Sequence, residues 1–383
     1  MMRFRTLFLA AALALSLGSC TRMQAPAPVH FFAEGMPEKL SDWNVLYLSN
    51  GKLNLNTGVL PYDLDTPLFS DYAHKLRTVW MPEKKAARYR EYEALEFPVG
   101  TIISKTFYFP LTKSGRGDGA TVLRSEDAAL GATGDGLALD QVRLVETRLL
   151  VRREHGWVTL PYVWNAEQTE AKLMRGGEIV PLTLVGEDGR REQANYMVPD
   201  DNQCAGCHSV DLKSKDVDPI GPKVRHLNHD YEYVDGRENQ LARWQKIGYL
   251  SGVPAGDLPK NPAWNDPNAS LEARARSYLD INCGHCHSQK GAARTSGMWL
   301  DAATQELARL GQCKLPIAAG QGTGNRPWDI APGKPDDSIV VYRMESKDPG
   351  VMMPELGRSV VHKEGVQLIR DWIAAMPQQQ CDK

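Results

Sequence analysis

The chain has 383 residues, long enough for several folding units, and carries 45 Lys and Arg against 47 Asp and Glu. That near balance excludes the basic surfaces that nucleic acid or an anionic membrane face would need.

In chain order, residues 1–19 read as an export signal: Arg3 and Arg5 precede the apolar run Leu7 to Leu15, which is too short to span a bilayer. The ending Leu17-Gly18-Ser19-Cys20 resembles a bacterial lipobox, with Cys20 as the lipidated first residue of the mature chain and Thr21 favouring the outer membrane. This resemblance implies a periplasm-facing or cell-surface lipoprotein, and several acyl chains give a stable anchor. Residues 20–39 form a lipidated tether, rich in Ala and Pro from Met23 to His30.

Residues 40–199 read as a β-rich domain. Gly100 to Phe109, Val142 to Arg153, Gly156 to Trp164 and Ile179 to Val185 are rich in β-branched, apolar and aromatic residues bounded by turn signals. Ser114 to Gly136, with scattered Gly and Asp, reads as a long loop.

Two segments then share one spacing, Cys204-Ala205-Gly206-Cys207-His208 and Cys283-Gly284-His285-Cys286-His287. With 7 Cys and 9 His in the chain, chance supplies such a match roughly 0.003 times. C-x-x-C-H is the attachment pattern of c-type haem: two thiols form thioethers with the haem vinyl groups and the imidazole ligates iron. The competing reading is a Cys₄ zinc site from Cys204, Cys207, Cys283 and Cys286, which gives no reason for a His after each pair. A thioredoxin-like pair expects one C-x-x-C near a βαβ pattern, and neither motif has that setting. The expectation is two haem c groups, with His208 and His287 as iron ligands.

Residues 200–256 form the first haem-binding segment, with Leu241, Trp244, Ile247 and Leu250 at helical spacing. The candidates for the second ligand of its iron are His226, His229 and Met197, with His226 preferred. Residues 257–267 are a Pro- and Asn-rich linker. Residues 266–383 form the second haem domain, in which Ser270 caps a helix that delivers Cys283 and Glu364 to Met376 forms another. With Cys20 assigned to lipid and four cysteines to haem, Cys313 and Cys381 remain as a disulfide in an oxidising compartment.

Leu60-Pro61-Tyr62-Asp63-Leu64-Asp65-Thr66-Pro67-Leu68-Phe69-Ser70-Asp71-Tyr72-Ala73, Leu160 to Ala171, Gln203-Cys204, Ile220-Gly221-Pro222-Lys223 and Asn239-Gln240-Leu241 resemble a family of bacterial lipoprotein dihaem c-type cytochromes. The resemblance spans nearly the whole mature chain and implies two covalent haems and electron transfer with redox partner proteins. The helices flanking the second motif and the Pro332 to Arg343 segment resemble the compact monohaem cytochrome c fold. By that likeness Met353, followed by Pro354, is the distal ligand opposite His287; Met352 is its competitor, and Met298 and Met344 are packing residues. The expected fold class is α+β multidomain, a β-rich domain followed by α-helical cytochrome c-like haem segments. The expected function is an exported, lipid-anchored dihaem electron carrier. The alternatives are a dihaem peroxidase-like or other haem oxidoreductase whose β-domain binds substrate, and a docking module that wires electrons to a membrane partner.

Overall fold

Alternation of β-branched and polar side chains builds the sheets at the centre of this protein. The structure, a computed structural model, describes residues 26–115, 117, 119–127, 130–132, 134–209, 216–317 and 319–382. The signal and Cys20 lie outside the described residues. Thirteen strands come first: β1 (Leu46–Ser49), β2 (Lys52–Leu55), β3 (Leu60–Tyr62), β4 (His74–Trp80), β5 (Ala87–Arg88), β6 (Ile102–Pro110), β7 (Thr121–Leu123), β8 (Gly136–Ala138), β9 (Val142–Arg153), β10 (Gly156–Trp164), β11 (Ala171–Leu173), β12 (Glu178–Val185) and β13 (Arg191–Val198). Then follow α1 (Asp201–His208), α2 (Val224–Leu227), β14 (Asp230–Tyr233), β15 (Gly236–Asn239), α3 (Gln240–Lys246), β16 (Leu250–Ser251), α4 (Leu271–Asn282), α5 (Ile339–Glu345) and α6 (Lys363–Ala375).

The central sheet has six strands in the order β11-β10-β9-β6-β4-β3. Its two faces differ because side chains alternate along each strand. On one face Ile102, Leu149, Val151, Leu160 and Tyr162 pack with Trp43, Leu53 and Leu137, under the small sheet β1-β2-β8. The other face is layered by register. Val79, Ile103 and Leu150 are aligned across β4, β6 and β9 and join Val224, Leu227, Leu241 and Trp244 in a shared core. The next row is Arg77, Lys105 and Arg148, and the one after it Lys75, Phe107 and Glu146. Phe107 packs with Leu182, Tyr196 and Val198 of β12 and β13. The segment around the first motif therefore shares the apolar core of the strands, and β16 pairs in parallel with β5. Burial of each such Leu, Val or Phe contributes about 1.5–3 kcal/mol, so these contacts join the segments firmly.

The expected fold class is overturned. Among the described residues strand exceeds helix, 28% to 19%, and no helical cytochrome c-like segments stand out among the six α-helices. Among the described residues after Val198 the longest helices are α4 and α6, with 12 and 13 residues. Among the described residues between Asn282 and Ile339 there are turns, short 3₁₀ stretches and isolated β-bridges but no α-helix. Closely spaced Gly and Pro, from Gly284 through Pro335, interrupt any helical period there.

Candidate functional site

Both C-x-x-C-H segments are presented by helix ends. Asp200 begins α1 with a reciprocal cap: its carboxylate accepts from the Gln203 N–H (2.8 Å), and the Gln203 amide oxygen accepts from the Asp200 N–H (3.1 Å). The helix this starts carries Cys204, Cys207 and His208. Ser270 Oγ accepts from the Ala273 N–H (3.2 Å) and opens α4, whose C-cap residue is Cys283. The Cys286 and His287 N–H groups then donate to the Cys283 carbonyl at 3.1 and 2.8 Å. A Cβ at Gly284 would stand 2.7 Å from the Asp280 carbonyl oxygen, so the glycine lets this turn close onto α4.

The two segments open on one cavity of about 650 Å³, lined by Cys204, Cys207, His208, Cys283, Cys286 and His287. The inner face of the central sheet contributes Ile103, Lys105, Arg148 and Leu150, and Met353 and Arg358 line it from the chain before α6. Each motif histidine turns Nδ1 to a main-chain carbonyl: His208 donates to Asp218 (2.8 Å) and His287 to Met298 (3.3 Å). A ring held this way keeps its lone pair on Nε2, the arrangement typical of metal-ligating histidines. Burial holds the His208 pKa down at about 3, aided by Lys105, and burial also lowers that of His287, so both rings are neutral at pH 7.

The four motif thiols are free, whereas Cys313 and Cys381 are joined in a disulfide. Burial pushes Cys283 and Cys286 up to about 12 and also raises Cys204 and Cys207. Without a metal or other cation beside them, thiols so shifted are poor redox nucleophiles. Among the described residues, one group of three or more His, Cys, Asp or Glu has ligand atoms within 4.8 Å of one another, Glu126, His362 and Glu364. The four motif cysteines do not converge as a Cys₄ site would. A shared cavity, two imidazoles with Nε2 free of partners among the described residues and two pairs of free cysteines at C-x-x-C-H spacing are a donor set that fits two haems.

Met353 lines the cavity, whereas Met352 is buried and does not. The Met353 N–H donates to the Arg343 carbonyl (2.9 Å), and buried Arg358 donates to the Met353 carbonyl (2.9 Å) and to that of Ser346 (2.8 Å). His226 is not among the residues that line the cavity, which corrects the sequence reading. Its Nδ1 is 3.0 Å from Asp65 Oδ1 and its Nε2 is 2.8 Å from Asp280 Oδ2, so both ring nitrogens are taken by buried carboxylates. Burial disfavours a charged His226, but these carboxylates outweigh burial and raise its pKa. His229 faces Gln240, and Met197 lines the cavity.

Sequence reasoning missed His285 and the basic side chains of the cavity. His285, between the second pair of cysteines, lines the cavity with a buried Nδ1 that has no hydrogen-bond partner. Arg358 was missed because its role is to hold main-chain carbonyls. Comparison with protein-family models, with curated proteins and with solved structures finds no match for this chain.

Proposed function

We propose that the protein is an exported dihaem c-type cytochrome that transfers electrons, with Cys204, Cys207 and His208 holding one haem and Cys283, Cys286 and His287 the other. The observation that carries this reading is the convergence of both motifs on one cavity with each histidine Nδ1 committed to a main-chain carbonyl. When bound, the two haems supply one-electron iron couples within a shared apolar enclosure. The chain's own part is to hold the imidazoles neutral, to fix their orientation through Asp218 and Met298, and to exclude water with Ile103, Leu150 and Leu300. Met353, which lines the cavity and is pinned through its main chain by Arg343 and Arg358, is the residue we assign, with His287, to hold the second iron. Met197 and His285 are the candidates for the first iron in place of His226.

Electron transfer is the reading we prefer because both motifs open on one cavity that would hold two iron centres together. Mass spectrometry of the exported protein should show the added mass of two haems, with an oxidised and reduced spectrum that excess peroxide leaves without turnover. Zinc in place of haem would overturn the assignment, and peroxide turnover at enzymatic rates would move the protein to the peroxidase class. Lipidation at Cys20 is part of the same proposal. Cys20→Ala should shift the protein from the membrane fraction to the soluble one, and retention in the membrane fraction would refute the anchor.

A further inference from the structure

The cavity floor carries a row of cations whose partners do not balance it. Arg77, Lys105 and Arg148 sit directly opposite one another across β4, β6 and β9, and all three line the cavity. Lys75, one step along β4, lines it too. Like charges in register on one face destabilise a sheet. Arg77 has a partner, Asp63 Oδ1 at 2.6 Å, and so does Arg148, Glu146 at 2.5 and 2.8 Å, which also accepts from the Tyr196 hydroxyl (2.7 Å). Among the described residues Lys105 makes neither an ion pair nor a hydrogen bond; its ammonium lies 5.3 Å from the Phe107 ring, with Lys75 at 5.6 Å and Arg148 at 4.4 Å from the same ring. Lys75 donates to the Ala73 carbonyl (2.9 Å), so among the described residues of the row only Lys105 has neither a hydrogen-bond nor an ion-pair partner, Asp63 and Glu146 each being matched by an arginine.

We infer that this row is a carboxylate-binding site inside the cavity, and that its occupants are the propionate groups of the haem held at Cys204 and Cys207. The inference rests on the dihaem reading for the identity of the occupant, but not for the chemistry of the site. A carboxylate beside Lys105 removes the repulsion along the row and gains charge-assisted hydrogen bonds in a water-poor enclosure. The low basicity of Lys105, brought down to about 7 by burial and then by Arg148 and Arg77, accords with a cation awaiting an anionic partner. Cys207 feels the charges of both Arg148 and Lys105, which puts the first motif beside the row. The same chemistry could be met by a free small carboxylate, and the test separates the two sources.

The test compares Lys105→Met, Lys105→Arg and, as a surface control, Lys113→Met in the full-length holoprotein, with haem content read by mass. One charge at roughly 10 Å and an effective dielectric constant of about 20 shifts a one-electron equilibrium about tenfold, or about 59 mV. Lys105→Met should lower the reduction equilibrium of one haem by that factor and lower the urea midpoint. Lys105→Arg should restore both, and the control should change neither. Excess succinate should then have no effect on wild type. If succinate instead raises the wild-type urea midpoint and not that of Lys105→Met, while potentials stay unchanged, the occupant is a free carboxylate. Unchanged potentials together with no succinate effect, or a raised midpoint in Lys105→Met, would overturn the site. A wild-type protein without haem would overturn the dihaem reading, and the succinate arm would still decide whether the row binds carboxylates.

Discussion

Asp280 holds a deeply enclosed charge network, and removing its charge tests how the second motif is kept in place. Its Oδ1 accepts from Arg225 (2.8 Å) and the Ala302 N–H (3.1 Å), and its Oδ2 accepts from Arg225 Nε at 2.7 Å and from His226 Nε2 at 2.8 Å. Lys223 Nζ lies 4.0 Å from Oδ1. The Asp280 side chain is fully buried and that of Arg225 only 4% exposed, so water does not screen the pair. Asp280→Asn keeps the volume and leaves Arg225 as an uncompensated buried charge, at a cost of about 3–5 kcal/mol. Replacing both partners with apolar residues, Arg225→Met with Asp280→Leu, should cost less than the two single changes added together, because neither charge is then stranded. Asp280 sits one turn before Cys283 on α4, so the asparagine variant should also bind less haem at the second motif than at the first. Urea unfolding at pH 7 gives the energies and peptide mass mapping gives the haem at each motif. A loss below about 1 kcal/mol, or costs that simply add in the double variant, would refute the network's role.

The same network sets a pH dependence. The folded pKa of His226 is raised above its ordinary value of about 6.5, so its contribution to stability is complete below that value and is lost as pH rises through the folded pKa. His226→Gln should therefore flatten the alkaline fall in unfolding free energy, and an identical alkaline slope in the variant would contradict this. The pKa of Asp280 is held well below the carboxylate range, with Lys223, His226 and Arg225 outweighing burial, so its contribution is present above about pH 4 and is lost only in acid. Met353→Ala should lower the reduction potential of the second haem and abolish any iron–sulfur band in the oxidised spectrum, whereas Met352→Ala should leave both unchanged; equal effects would refute the assignment. Cys381→Ala opens a loop spanning 68 residues and should cost about 2–4 kcal/mol by urea unfolding, while alkylation of both thiols in the unreduced wild type would show that no such bond forms.

The strands were legible because their signal is local. Val142 to Arg153 is bounded in the sequence as β9 is bounded in the fold, and the Ser270 cap needs only its own first turn. The fold class was not legible, because the two apolar periodic stretches before Cys283 and around Trp372 are local signals that carry no information about residues 283–338 between them, where no helical period exists. His226 failed for a different reason. Its fate depends on Asp65 and Asp280, which lie 161 and 54 residues away. Residue type alone made it a ligand, and only long-range packing shows that its nitrogens are occupied.

The cationic row lies between these cases, and part of it was open to reading. A strand with one buried face demands apolar residues at every second position. Along β6 that face reads Ile103, Lys105, Phe107, so Lys105 breaks the period between two apolar neighbours. Along β9 the same face reads Glu146, Arg148, Leu150, a charged pair where the opposite face gives Thr147, Leu149 and Val151. Each break is a local departure from the pattern that makes the strand, and such departures belong at sites where another demand outweighs folding. Their alignment was beyond the sequence, because it is set by the register of β4, β6 and β9 across loops of very different length. Once the register is known, the breaks fall opposite one another and face the cavity beside Cys207, which locates the need for an anion next to the first motif.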